Sequence, residues 1–137
     1  MTDIQLSEHF NSSEFDCKGT SCHCGGNGDK MNPILILCLE QLRSDIGGIP
    51  LIVTSGYRCA IHNAECEGSS RVSQHMKGNA ADIIIPDGLT FGEFLWYVEN
   101  TVTAEGYKFD GIGEYPWQEF IHVDVRDNGE HGGWYRW

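Results

Sequence analysis

Positive charge is what this chain has least of: 9 Lys and Arg stand against 20 Asp and Glu, a formal net charge of −11. A field of that sign repels phosphate backbones and anionic lipid headgroups, so neither nucleic-acid binding nor electrostatic adhesion to an anionic wall polymer is expected. A substrate must be gripped in a cleft. Long apolar runs are missing as well, and nothing reaches the roughly 20 apolar residues of a spanning helix, so no membrane insertion is expected. Residues Met1 to Phe10 are acidic and polar where a signal peptide has a basic start and an apolar stretch. The expectation is synthesis in the cytoplasm without self-export. With no repeat, low-complexity tract or long linker either, residues 1–137 read as one domain, and 40% hydrophobic residues suffice for one core.

Six cysteines are present (Cys17, Cys22, Cys24, Cys38, Cys59, Cys66), and without an export signal their number does not decide the compartment. Cys17, Cys22, Cys24 and His23 lie on a glycine-rich stretch, 17–30, that reads as an irregular loop. Their C-x4-C-x-C spacing departs from the usual C-x2-C of zinc knots, which favours thiols or disulfides there. A Cys59–Cys66 bridge would close a short loop in an oxidising environment.

Hydrophobic periodicity supplies the framework. Asn32-Pro33 is an N-cap with proline at the first helical position, and Leu35, Cys38, Leu39, Leu42 and Ile46 follow at helical spacing until Gly47-Gly48. Thr90 and Glu93 form a capping box, with Phe91, Phe94, Leu95, Val98 and Val102 spaced for a second helix before Gly106. Pro50 to Ser55 and Ala81 to Ile85 read as strands, and Phe120 to Val125 alternates so that Ile121, Val123 and Val125 share one face and His122 and Asp124 the other. This order predicts an α+β fold: a small single domain with a mostly antiparallel sheet flanked by helices.

The chemistry gathers at two places. Residues 73–82 read S-x-H-x-x-G-x-A-x-D, presenting His75 and Asp82, and the last strand supplies His122. Two imidazoles and a carboxylate suit zinc and leave a fourth position open, which is the ligand count of catalytic rather than scaffolding sites. Gly78, Ala80 and Ala81 let the chain turn tightly enough for His75 and Asp82 to converge.

At these residues the sequence resembles the M15 peptidase family. The likeness extends to Ser55-Gly56-Tyr57-Arg58-Cys59 and His62-Asn63, and runs from Leu6–Phe10 to His122–Arg126. It is similar to the compact phage and bacterial branch, whose members cut peptidoglycan stem peptides as D,D-carboxypeptidases or endopeptidases. The resemblance implies a hedgehog/DD-peptidase-like domain, one Zn2+ per chain on His75, Asp82 and His122, a substrate-contacting Arg58, and an acidic general base three residues before the last histidine. Glu119 stands there. Arg58 suits either a stem-peptide carboxylate or the developing oxyanion. Ser73 and Asp124 are assigned to orienting ligands or binding substrate, and His62 to shaping the cleft. Trp117, Trp134, Tyr135 and Trp137 are left between cleft rim and packing. The expected partner is a peptidoglycan stem peptide, met by a monomer that a separate lysis system releases. The alternative is a catalytically silent zinc-binding or wall-recognition domain of the same fold.

Overall fold

Capping chemistry starts both long helices where the spacing predicts. In the computed structural model, which describes residues 3–19, 24, 26–66 and 73–137, Asn32 caps a helix over Pro33–Asp45 (α1), its side-chain oxygen accepting from Ile34 N at 2.9 Å. A short helix, Ala60–Glu65 (α2), follows Cys59. In the third, Phe91–Glu99 (α3), Thr90 Oγ1 accepts from Glu93 N while Glu93 Oε1 accepts from Thr90 N. This last helix is shorter than its periodicity suggests. Asn100 Nδ2 and Thr101 Oγ1 donate back to Trp96 O and Tyr97 O, which ends the helix before Val102 and leaves that residue exposed. No helix among the described residues is long and apolar enough to cross a membrane.

Five strands, Val53–Ser55 (β1), Ala80–Ile84 (β2), Gly111–Tyr115 (β3), Phe120–Asp124 (β4) and Tyr135–Arg136 (β5), form one sheet in the order β1-β2-β4-β3-β5. All neighbours are antiparallel except β3 and β5, which run parallel. The α+β, mostly antiparallel reading holds. Side-chain alternation divides the sheet sharply. Ala81, Ile83, Ile112, Ile121 and Val123 are buried in one core with Leu35, Leu39 and Leu42 of α1 and Phe94 and Val98 of α3. Each buried Ile or Leu stabilises the fold by about 1.5–3 kcal/mol, and a slip of one residue would turn all the sheet's apolar side chains away from α1 and α3. The register is therefore fixed.

That same register builds the opposite face. Asp82 pairs with His122, which pairs with Gly113 on its other side; in the next row Ala80 pairs with Asp124 and Asp124 with Gly111. Polar side chains thus stand in rows flanked by residues with little or no side chain. Beyond β4, the buried Asp110 carboxylate accepts from the backbone N–H of Asp127, Gly129 and His131, pinning the loop that returns the chain to β5 and its C-terminal neighbour Trp137.

Candidate metal centre

Three short segments carry the two histidines and the aspartate to one point. His75 lies in a 3-10 turn, Gln74–Lys77, whose N-cap Ser73 accepts from His75 N at 3.2 Å. The turn ends on Gly78, at φ 73° and ψ 17°, where a Cβ would collide with the carbonyl oxygen of Lys30. Only glycine meets both demands, and the tight turn expected at this position is present. It leads into β2 and Asp82. His122 arrives from β4 directly opposite Asp82.

The side chains then interlock. Asp82 Oδ1 is 3.2 Å from His75 Nε2 and 3.1 Å from His122 Nδ1, with all three residues buried. The far nitrogen of each ring is occupied: His75 Nδ1 lies 2.8 Å from Gly56 O, and His122 Nε2 lies 2.8 Å from Asp124 Oδ2. A carbonyl oxygen can only accept, so Nδ1 of His75 carries a proton and Nε2 faces inward. An ionised Asp124 likewise holds a proton on His122 Nε2 and aims Nδ1 at the same point. Asp124 is itself gripped by Arg126, whose Nε and Nη2 donate to its two oxygens at 3.0 and 2.7 Å.

The electrostatics follow from these contacts. Burial opposes the charge on Asp82, but hydrogen bonds with His122 and His75 outweigh it and hold this carboxyl well below the usual range. Burial also opposes ionisation of Asp124, yet His122 and Arg126 keep its pKa at about 2. Burial disfavours the imidazolium of His122, but the hydrogen bonds to Asp124 and Asp82 prevail and raise its pKa. Two ionised carboxylates and two inward-facing ring nitrogens, each able to give up its proton to a metal, make a site that attracts a cation.

Arg58 closes one side. Its Nε donates to Ser55 Oγ at 3.0 Å and its Nη2 reaches Asp82 Oδ2 at 3.4 Å, which leaves further N–H groups of the guanidinium for another partner. The structure therefore gathers His75, Asp82, His122, Asp124 and Arg58, while Ser73 caps the turn that carries His75. Glu119 and His62 stand outside that group. Glu119 is exposed, in the left-handed region at φ 58°, and borders a cleft with Ile85, Leu89, Phe91 and Pro116. His62 is half-buried on α2, its Nε2 3.8 Å from Cys66 Sγ.

One residue of the site, Arg126, escaped the reading of the sequence, and a second, Trp137, is left by it between cleft rim and packing. Arg126 continues the alternation His122, Asp124, Arg126, a period-two signal that points to it. Trp137 gives no such signal. Its ring lies 4.9 Å from that of His122, its Nε1 donates to Tyr115 Oη at 2.7 Å, and a Cβ on Gly113 would lie 2.6 Å from its Nε1. This indole covers His122 because Gly113 leaves room for it.

Two imidazoles and one carboxylate, buried beside an arginine at the sheet and the turn that leads into it, are a donor set that could hold a metal ion, and three ligands would leave a fourth position open. The sequence profile of the family described as Peptidase M15 matches residues 8–124, and the chain belongs to that family. It is also 34% identical over 102 residues to a Haemophilus influenzae protein described as probable peptidoglycan L,D-endopeptidase MepK, an overlap covering 70% of this chain and 51% of that protein. The chain spans about half the length of this relative.

Proposed function

We propose that this chain is a zinc-dependent hydrolase of an amide bond in peptidoglycan stem peptides, a carboxypeptidase or endopeptidase of the phage-type lytic or wall-remodelling kind. The observation that carries the proposal is the convergence of His75 Nε2 and His122 Nδ1 on Asp82 Oδ1, with Arg58 alongside. Membership in a peptidase family and the relative described as a peptidoglycan endopeptidase support the reaction and the substrate. The donor set suits zinc, with His75, Asp82 and His122 as its holders. Zinc bound there supplies a Lewis acid that polarises the scissile carbonyl and acidifies water.

The protein's own groups do the rest. Arg58, steadied by Ser55, offers its remaining N–H donors to a stem-peptide carboxylate or to the oxygen that gains charge as the amide is attacked. Glu119 accepts the proton that water loses and delivers it to the departing amine. A strand with unbroken alternation would turn this residue to the core face, and the left-handed bend at Glu119 interrupts that alternation. Asp124 and Arg126 keep His122 Nδ1 pointed inward, and Ser73 fixes the turn that carries His75. His62 shapes the wall next to Arg58.

Digestion of purified peptidoglycan, with the new termini identified by mass spectrometry, tests the proposal. Newly released stem-peptide termini that vanish when the protein is stripped of metal are the expected result. The exposure of Glu119 favours a second reading, a silent zinc-binding or wall-recognition domain. Zinc retained with no new termini on any peptidoglycan would establish it.

A further inference from the structure

A second group of donors lies outside the histidine cluster. Sγ atoms of Cys17, Cys24 and Cys59 lie within 4.8 Å of one another, brought together from the N-terminal loop and from the turn immediately after Arg58. The sequence favours thiols or disulfides on that loop and offers a Cys59–Cys66 bridge. The structure differs on the partner: Cys59 and Cys66 are not joined, and Cys66 Sγ faces His62. Cys22 and His23, the other members of the knot considered from the sequence, fall outside the described residues.

We infer that Cys17, Cys24 and Cys59 form a second, structural zinc site that clamps the N-terminal loop onto the turn bearing Arg58. Magnitudes separate this from a disulfide. Sulfurs ~2.3 Å from zinc at the tetrahedral angle stand ~3.8 Å apart, whereas bonded sulfurs lie ~2.05 Å apart. The Cys17 and Cys59 sulfurs are 3.8 Å apart. Cys59 Sγ also accepts a backbone hydrogen bond from His62 N at 3.4 Å. A structural zinc takes four donors, and these three thiols supply all but one of them. Each thiol gives its proton to solvent on binding, so the three donors reach the metal as thiolates.

The surrounding backbone shows what the clamp would hold. Tyr57 N donates to Phe15 O at 2.8 Å, and Cys17 N to Gly26 O at 2.8 Å. A Cβ on Gly56 would lie 2.7 Å from Phe15 Cα, so the two segments already touch. The clamp is the side-chain counterpart of that contact, one residue from Arg58. It sets the position of Arg58 without touching substrate.

Metal content of the full chain, purified under reducing conditions, tests the site separately from the histidine cluster. The wild type is expected to hold about two zinc per chain, with Cys24→Ser and His122→Ala each losing about one. Cobalt loading gives a second readout: thiolate-to-cobalt absorption is expected in His122→Ala and not in Cys24→Ser. Should Cys24→Ser fail to fold, the wild type still answers, because alkylation of Cys17, Cys24 and Cys59 must be slow until a chelator is added. Alkylation unaffected by chelator, no thiolate-to-cobalt absorption in His122→Ala, or a Cys17–Cys59 disulfide in the freshly purified protein would overturn the inference.

Discussion

Gly111 stands opposite Asp124 across the β3–β4 ladder, and the space its missing Cβ leaves is the space the Asp124 carboxylate occupies. A Cβ there would overlap both carboxylate oxygens and Cγ. The same carboxylate holds His122 Nε2 and takes two hydrogen bonds from the Arg126 guanidinium and one from its backbone N–H, so a glycine that touches no ligand controls the aim of one.

Gly111→Ala is therefore expected to act at a distance. Overpacking of this kind costs about 1–3 kcal/mol, and displacing a carboxylate that orients a metal ligand lowers affinity by about 10–100-fold. Thermal melting and zinc titration of the variant measure both effects. A variant that melts lower yet binds zinc as tightly as the wild type would mean that Asp124 does not set the orientation of His122.

The raised pKa of His122 makes zinc uptake a competition with protons. In the metal-free protein, Asp124 and Asp82 stabilise the imidazolium, so its proton stays bound above the ordinary value of 6.5. Stability from this protonation is full below the unfolded pKa and is lost as pH rises through the higher folded one. Zinc needs His122 Nδ1 unprotonated, so the sign for binding is opposite: affinity rises with pH until the folded pKa is passed, then levels off. Titrations from about pH 5.5 to 8.5 should show roughly a tenfold loss per unit on the acid side from this group alone. Affinity flat across that range would contradict the imidazolium between two carboxylates.

What was legible in the sequence followed from period and capping. α1 and α3 announce themselves through Asn32 and Thr90, and the faces of β4 through Ile121 and Val123, because each signal is local. His75, Asp82 and His122 were legible as a set because strand alternation puts Asp82 and His122 on one side, and Gly78 turns His75 toward them. Long-range relations were not. Trp137 covers His122 only because β5 lies parallel to β3, and Cys59 meets Cys17 only because the loop after Phe15 crosses the turn at Gly56. Nothing in the spacing of those residues encodes a meeting across 42 positions.

Arg58→Lys is expected to keep the fold and lose most activity. Arg58 uses Nε on Ser55 and Nη2 on Asp82 at once, and lysine has one ammonium for both while losing the planar fork. Losing a donor that stabilises developing charge costs about 10²–10³-fold in turnover. The melting temperature should stay close to the wild type, since the Arg58–Asp82 contact is long at 3.4 Å and Asp82 keeps both histidines. Normal turnover of muropeptides by Arg58→Lys would reduce Arg58 to a point charge.

Glu119→Gln separates chemistry from folding most cleanly. The residue is exposed at a left-handed bend, and its backbone oxygen accepts from Ile85 N at 3.0 Å whatever the side chain, so the nearly isosteric amide should leave melting temperature and zinc content unchanged. Turnover should fall by about 10²–10⁴-fold if the carboxylate is the proton acceptor, because an amide cannot take the proton from water. The bend decides whether it can serve: Phe120 and His122 share a face by alternation, while Glu119 leaves the strand where alternation stops and is not tied to the core face. Zinc content, melting and stem-peptide hydrolysis measured on one preparation discriminate the outcomes. Near-normal hydrolysis by the Gln variant would move the proton acceptor to Asp124 or His62. Of these two, Asp124 is the poorer base, since Arg126 and His122 hold its pKa at about 2.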